Sequence, residues 1–309
     1  GNLVCYCIWN LRVLLKGNRS CKMKKNEKID LVYKLCRYVV DTLFWGCMVM
    51  ALFVVMQIFL FSSFKIPSNS MEPGLIAGDY VLVNKLIPGA RLFNVFASLR
   101  GEQIQIVRLP GLREIRRNDV VVFNYPYPNN LDRIEMHMMK YYIKRCLGLP
   151  GDSLSIVNGY YRVNGIFEPV GNIEGQELFS VQSNKMLKDA GLYWSFPKDS
   201  LISWNVKNFG PLYLPRKGDV IDMNRENISI YRKLIEWETG QKLDPRIVSY
   251  TFQKNYYFVA GDRIEDSQDS RYWGLLPEEF IVGKATFIWR SMNPQTRGVR
   301  WDRICSRIE

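Results

Sequence analysis

Histidine is almost missing from this chain. His137 is the single one in 309 residues, so a metal centre built on imidazole ligands is excluded, and His137 itself reads as a loop residue. Cysteine is present but badly placed for cross-linking. Of the seven, Cys5, Cys7, Cys21, Cys36 and Cys47 fall in a basic leader or in the apolar run that follows it. Only Cys146 and Cys305 lie beyond, which excludes a disulfide framework and a zinc pattern. A single Cys146–Cys305 bridge stays open, although Cys146 sits in an apolar stretch and reads better as a small buried residue. Charge is missing altogether from Thr42 to Phe64, between Asp41 and Lys65.

That uncharged run is long enough to matter, because a helix crossing a hydrocarbon core needs about 20 apolar residues. A cleaved signal peptide has an apolar stretch of only roughly 7–15 residues, so the run reads as an uncleaved transmembrane anchor over 39–64. The net charge of +12 points either to nucleic acid or to an anionic membrane surface, and its distribution decides. Arg12, Lys16, Arg19, Lys22, Lys24, Lys25, Lys28, Lys34 and Arg37 oppose only Glu27 and Asp30 ahead of Asp41. A basic leader over 1–38 beside an apolar span keeps the leader cytoplasmic and exports the chain from Lys65 onward. Residue 1 is Gly, and Met23-Lys24-Lys25-Asn26 looks like a natural start, so residues 1–22 read as upstream sequence. No nucleic-acid recognition motif accompanies the charge.

Beyond the span the signals are those of strands. Tyr80–Val83, Val120–Phe123, Tyr141–Leu147, Tyr257–Ala260 and Phe280–Trp289 are short apolar runs between Gly, Pro, Asp and Asn. The turn Arg216-Lys217-Gly218-Asp219-Val220 echoes Arg116-Arg117-Asn118-Asp119-Val120, and each is expected to open a strand. Ile228, Tyr231, Leu234 and Ile235 fall at helical spacing and predict one helix over Ile228–Thr239. The domain 65–309 therefore reads as mostly β, with 153–256 as an insertion that carries none of the strongest motifs.

Three segments can carry chemistry. In Ile66-Pro67-Ser68-Asn69-Ser70-Met71-Glu72-Pro73, serines lie between prolines that restrict the backbone, so a hydroxyl and an N–H can be aimed. In Tyr141–Gly148, strand alternation places Tyr142, Lys144 and Cys146 on one face. A lysine that cannot reach water loses basicity and, once neutral, can deprotonate a serine. Bringing a lysine from about 10.4 to 7–8 costs roughly 4 kcal/mol. In the third segment, Gly261-Asp262 precedes Ser267-Gln268-Asp269-Ser270-Arg271, where a serine can orient the lysine and an Asp–Arg pair can brace the loop. Each segment alone also fits a turn, a surface charge or a polar loop.

Together, Phe64–Leu75, Arg116–Phe123, Tyr142–Asp152 and Gly261–Trp273 resemble, in order and after an N-terminal anchor, the successive boxes of bacterial type I signal peptidases. These boxes cover about a seventh of the chain. The resemblance implies a signal-peptidase-like β-assembly with an inserted β-rich region, preceded by one N-terminal transmembrane helix. It implies Ser70 as nucleophile, Lys144 as general base, Ser68 as an oxyanion-hole hydroxyl and Ser267 as the serine that positions the lysine. Asp269 and Arg271 correspond to the buttressing ion pair. Phe64, Ile66, Pro67, Met71, Leu75, Val122, Tyr142 and Ile143 fall where the family contacts its substrate, in shallow pockets that accept Ala-x-Ala sites. Two departures stand out: Asp262-Arg263-Ile264-Glu265 replaces the usual Asp-Asn-Arg-Asp, and Gly74 stands where threonine is common.

The expected function is removal of signal peptides from exported preproteins, by a monomer in the bacterial inner membrane. The span is single-pass and the catalytic domain faces the periplasmic or extracytoplasmic side. The partners implied are preprotein signal peptides and the lipid bilayer, with no nucleic acid, metal or cofactor. Two rivals share some of these features. A self-cleaving Ser–Lys protease of the LexA repressor type needs a DNA-binding domain in place of the anchor, and a membrane-tethered peptide-binding domain needs no dyad.

Overall fold

The computed structural model describes residues 27–94 and 106–308. Residues 1–22, with the reading of them as upstream sequence, lie outside the described residues. The chain divides into two units, Gly1–Val54 and Val55–Glu309.

One long helix covers Glu27–Phe59. Its Val32–Phe59 stretch is 28 residues long with a mean hydropathy of 2.2, and no part of it is buried. At about 1.5 Å per residue it spans ~42 Å, more than the ~30 Å of a hydrocarbon core. Length and composition thus suffice to cross a membrane. The uncharged run outlasts the helix, because Phe61–Lys65 is a strand. The change follows from who takes the last helical carbonyls. Lys85 Nζ donates to Gln57 O at 2.6 Å, and Ser62 Oγ donates to the same oxygen at 3.1 Å. Terminal carbonyls so satisfied no longer require another helical turn.

Among the described residues the second unit has fourteen strands. They are β1 (Phe61–Lys65), β2 (Asp79–Asn84), β3 (Arg91–Leu92), β4 (Val107–Arg108), β5 (Val120–Asn124), β6 (Tyr141–Gly148) and β7 (Ser153–Val157). There follow β8 (Tyr160–Val163), β9 (Phe209–Tyr213), β10 (Val220–Asp222), β11 (Ser249–Thr251), β12 (Tyr256–Ala260), β13 (Leu276–Pro277) and β14 (Ile281–Ser291). Seven form one antiparallel sheet in the order β1-β2-β14-β5-β6-β12-β13. The sheet is strongly curled: Phe64 of β1 and Tyr141 of β6 meet edge to face at 4.9 Å although three strands separate them in the order. Register shifts along β14 provide the bend. Gly283 allows the close approach there, since a Cβ would stand 2.6 Å from Asn84 O.

Alternation along β5 and β6 sorts side chains into two cores. Val120, Val122 and Ile143 face an aliphatic cluster that also holds Ile66, Met71 and Leu75. Val121, Phe123, Cys146 and Leu147 belong to a larger cluster shared with the inserted region. Cys146 is buried and Cys305 exposed, both as free thiols, so the bridge between them does not form.

The inserted region contains the sheet β8-β7-β9 and the pair β10-β11, with helices at Ile173–Ser180, Asn184–Asp189 and Arg225–Thr239. The last carries the expected helix, and Tyr231, Leu234 and Ile235 are on its buried face. The two echoing turns are the same device. Asp119 accepts from Arg116 N–H at 2.9 Å and Asp219 from Arg216 N–H at 2.8 Å. Asn118 and Gly218 supply the left-handed residue at φ 68 and 93, a conformation cheapest for glycine and tolerated by asparagine. β5 and β10 follow directly.

Candidate active site

Ser70 sits in a tight turn after β1. Glu72 N–H donates to Asn69 O and Leu75 N–H to Met71 O, while the Asn69 side chain accepts from Ala77 N–H. Met71 and Leu75 are buried in the aliphatic cluster and pin the turn from beneath. Ser70 is itself buried, and its carbonyl accepts from Arg263 N–H at 3.2 Å. Lys144 comes from the middle of β6, opposite Val121. Its side chain is 3% exposed, and Nζ donates to Ser70 Oγ at 2.7 Å and to Ile143 O at 3.0 Å. Ser68 Oγ approaches Ser70 Oγ at 3.4 Å, a weak bond for two hydroxyls.

The electrostatics of Lys144 follow from where it is buried. Removal from water is the largest effect and brings its pKa down to about 8, with the Arg271 charge acting in the same direction and Asp269 against it. Tyr142 presents its ring 5.8 Å from Nζ.

Asp269 and Arg271 form a fully buried pair, with Arg271 Nε and Nη2 donating to the two carboxylate oxygens at 2.8 and 2.7 Å. Burial pushes the Asp269 carboxyl up. The Arg271 charge and hydrogen bonds from Arg271, Gly261 N–H and Ser267 outweigh it and hold the carboxyl below its usual range. Ser267 Oγ donates to Asp269 at 2.7 Å. Ser267, Asp269 and Arg271 thus come together in one network, while the acceptors of Lys144 are Ser70 and Ile143 O rather than Ser267. Gly261 joins the two groups, because a Cβ there would strike both the Ser267 side chain and, at 2.5 Å, Ser70 O.

Of the expected contact residues, Phe64, Ile66, Met71, Leu75, Val122 and Ile143 gather in or against the aliphatic cluster. Pro67 is exposed in the turn. Tyr142 lies on the opposite face of β6, against Phe123 and Tyr125.

Several pairings escaped the sequence reading. Arg145, next to Lys144, grips Asp262 with two bonds of 2.7 Å. The Asn172 amide, ahead of the Ile173–Ser180 helix, donates to Asp262 O at 3.1 Å, so the inserted region also braces this turn. The unusual Arg263 pairs with Glu72 at 2.9 Å and Glu265 at 3.3 Å, and Ile264 is buried. An exposed ion-pair bridge and an apolar plug therefore occupy the altered turn. The adjacency of Lys144-Arg145 and Gly261-Asp262 in the motifs was the available signal.

The sequence profile of the family described as signal peptidase, peptidase S26, matches residues 39–290. The chain belongs to this family. The signal peptidase I of Buchnera aphidicola subsp. Baizongia pistaciae is 28% identical over 98% of this chain and 95% of its own length. That of Buchnera aphidicola subsp. Schizaphis graminum is 32% identical over 81% and 76%. The signal peptidase I of Haemophilus influenzae is 31% identical over 84% of this chain and 73% of the relative. Membership of the signal peptidases makes the chain a bacterial serine endopeptidase that acts in signal-peptide removal, and associates it with a membrane. The matched stretch begins inside the apolar helix and takes in Ser70, Lys144, the inserted region and the Gly261–Trp273 loop.

Proposed function

We propose that Ser70 and a neutral Lys144 are the nucleophile and general base of this signal peptidase. The observation that carries the reading is the 2.7 Å contact between Lys144 Nζ and Ser70 Oγ in a buried setting. A deprotonated lysine reverses that bond: the hydroxyl donates to the free amine and is primed for attack. Ser70 Oγ then adds to the scissile carbonyl, and its proton passes to Lys144. The Ser70 N–H and the Ser68 hydroxyl hold the oxyanion. Lys144 protonates the departing amine, then takes a proton from the water that hydrolyses the acyl-enzyme. Ser267, through Asp269, and the Asp269–Arg271 pair keep the lysine's surroundings rigid. Every step uses a protein group or water, so the mechanism invokes neither metal nor cofactor.

The substrate enters as a strand. β12 pairs with β6 only from Arg145 onward, so among the described residues Tyr141–Lys144 have no partner on that side, and β1 is an edge strand. An extended preprotein beside Phe64–Ser70 brings its scissile carbonyl to the end of that gap. Phe64, Ile66, Met71, Leu75, Val122 and Ile143 form a filled apolar floor, which leaves room for small side chains and suits Ala-x-Ala sites. The apolar helix serves as a single-pass anchor in the inner membrane. The basic leader stays cytoplasmic and the enzyme works as a monomer on the extracytoplasmic side.

Purified wild type is expected to cleave a preprotein at its Ala-x-Ala site in detergent. Ser70→Ala and Lys144→Ala should each lose at least ~10³-fold in rate, the order found when one member of a concerted catalytic unit is removed. Full cleavage by folded Lys144→Ala would remove the dyad assignment.

A further inference from the structure

Beside the loop that carries Ser267 and Asp269 lies a cleft of about 350 Å³ that the proposed mechanism leaves unused. Aromatic rings form much of its wall, beside the polar Asn129 and Asn130. Tyr125 and Tyr127 come from the β5–β6 connection, Trp194 from the inserted region, and Tyr272 and Trp273 from the end of the catalytic loop. Gln268, between Ser267 and Asp269, lines it too.

The rings continue up to the dyad. Tyr125 lies 4.5 Å from Tyr142 and 6.0 Å from Trp273, and Tyr142 is the ring beside Lys144 Nζ. β6 therefore has two unlike faces at the lysine. Ile143 opens onto the aliphatic floor, and Tyr142 leads into the aromatic cleft. A peptide held across the dyad has two halves. With the small residues before the scissile bond over the aliphatic floor, the half beyond the bond departs on the Tyr142 side.

Charge narrows the occupant. Lys198 is the one charged residue on the lining, and no carboxylate lines it among the described residues. A second ammonium, that of Lys233, stands 5.9 Å from the Tyr127 ring. Trp194 is 62% exposed, so a large apolar ring faces water at the cleft and gains by being covered.

We infer that this cleft is a specificity site for the polypeptide that follows the scissile bond, and that it takes one aromatic side chain flanked by a carboxylate. The inference rests on the Ser70–Lys144 reading. An aromatic side chain buries roughly 150–250 Å², within what a cleft of this size can cover, and Lys198 meets the adjacent acid. Selectivity of this kind acts on the mature protein's first residues and is separate from recognition of Ala-x-Ala.

The test uses the full chain in detergent and preproteins identical through the cleavage site. Beyond the bond, tryptophan replaces serine at one position at a time, next to either glutamate or lysine. Wild type should cut one tryptophan substrate about ten-fold better in kcat/KM than the all-serine reference, ~1.4 kcal/mol, and prefer glutamate beside it. Trp194→Ala should flatten the tryptophan preference, and Lys198→Glu should invert the preference for glutamate. Equal kcat/KM across the series, or a preference that survives both substitutions, would overturn the inference while leaving the dyad intact. Failure of wild type to cut even the all-serine reference would instead overturn the dyad reading, and this inference with it.

Discussion

Lys144 and Arg271 are both cations removed from water in the same site, and their fates are opposite. Arg271 is wholly buried yet stays charged, because Asp269 meets it with two hydrogen bonds and a full counter-charge. Lys144 is buried nearly as deeply, at 3% exposed, and receives only a hydroxyl and a carbonyl. Its pKa falls to about 8. The difference lies less in the depth of burial than in which cation owns the carboxylate. By committing Asp269 to Arg271, the fold denies the lysine the partner that would keep it protonated. A buried ion pair so used need not add stability; here its use is to make a base.

The sharpest way to break this contrast is Asp269→Asn, which leaves Arg271 buried without its counter-charge. A loss of about 3–5 kcal/mol is expected, read as a large fall in thermal midpoint. A near-normal midpoint would show that Arg271 does not depend on the pair.

The second test concerns the lysine alone. A lysine near 10.5 when unfolded and about 8 when folded makes the unfolded state bind more protons between those values, so stability rises with pH across that window. Below about pH 8 the folded state carries a cost of roughly 3 kcal/mol, at 1.36 per unit. Lys144→Met should therefore raise the thermal midpoint at pH 7, and the gain should fade as pH rises from 8 towards 10.5. A destabilised variant at pH 7 would argue that Lys144 is not strained by burial.

The smallest effect belongs to an exposed cation. Arg263 is held by Glu72 and Glu265 at the surface, where such pairs contribute about 0.2–1 kcal/mol. Arg263→Ala should slow cleavage no more than about five-fold. The exchange Glu72→Arg with Arg263→Glu should recover most of that loss. A large stability loss in Arg263→Ala would give this surface bridge a weight that the comparison assigns to buried charges alone.

How much of this was legible in the sequence depends on distance along the chain. Tyr80–Val83, Val120–Phe123 and Tyr141–Leu147 lie within β2, β5 and β6, because apolar runs with turn residues on both sides leave few alternatives. Ser70 and Lys144 were legible as motifs, and the structure brings their side chains together. The end of the long helix was not legible. The sequence is uncharged through Phe64, and the stop is set by Lys85 and Ser62 reaching Gln57 O. The helices Ile173–Ser180 and Asn184–Asp189 are too short to carry a periodic signal. Arg145–Asp262 and Arg263–Glu72 join residues 117 and 191 apart in sequence, so beyond the place of Arg145 and Asp262 in their motifs nothing local to either partner announces the other. The acceptor chosen by Ser267 was hidden for a related reason: Asp269 is two residues away and already held in place by Arg271.

The measurement closest to the central claim is the pH dependence of kcat/KM for preprotein cleavage by the full chain. A single lysine that must be neutral in the free enzyme gives a limb that rises with unit slope and levels at its pKa. With Lys144 lowered by burial, the midpoint should fall near 8. A rate that keeps climbing beyond pH 10, or that shows no rise with pH around 8, would contradict a desolvated Lys144 as the base.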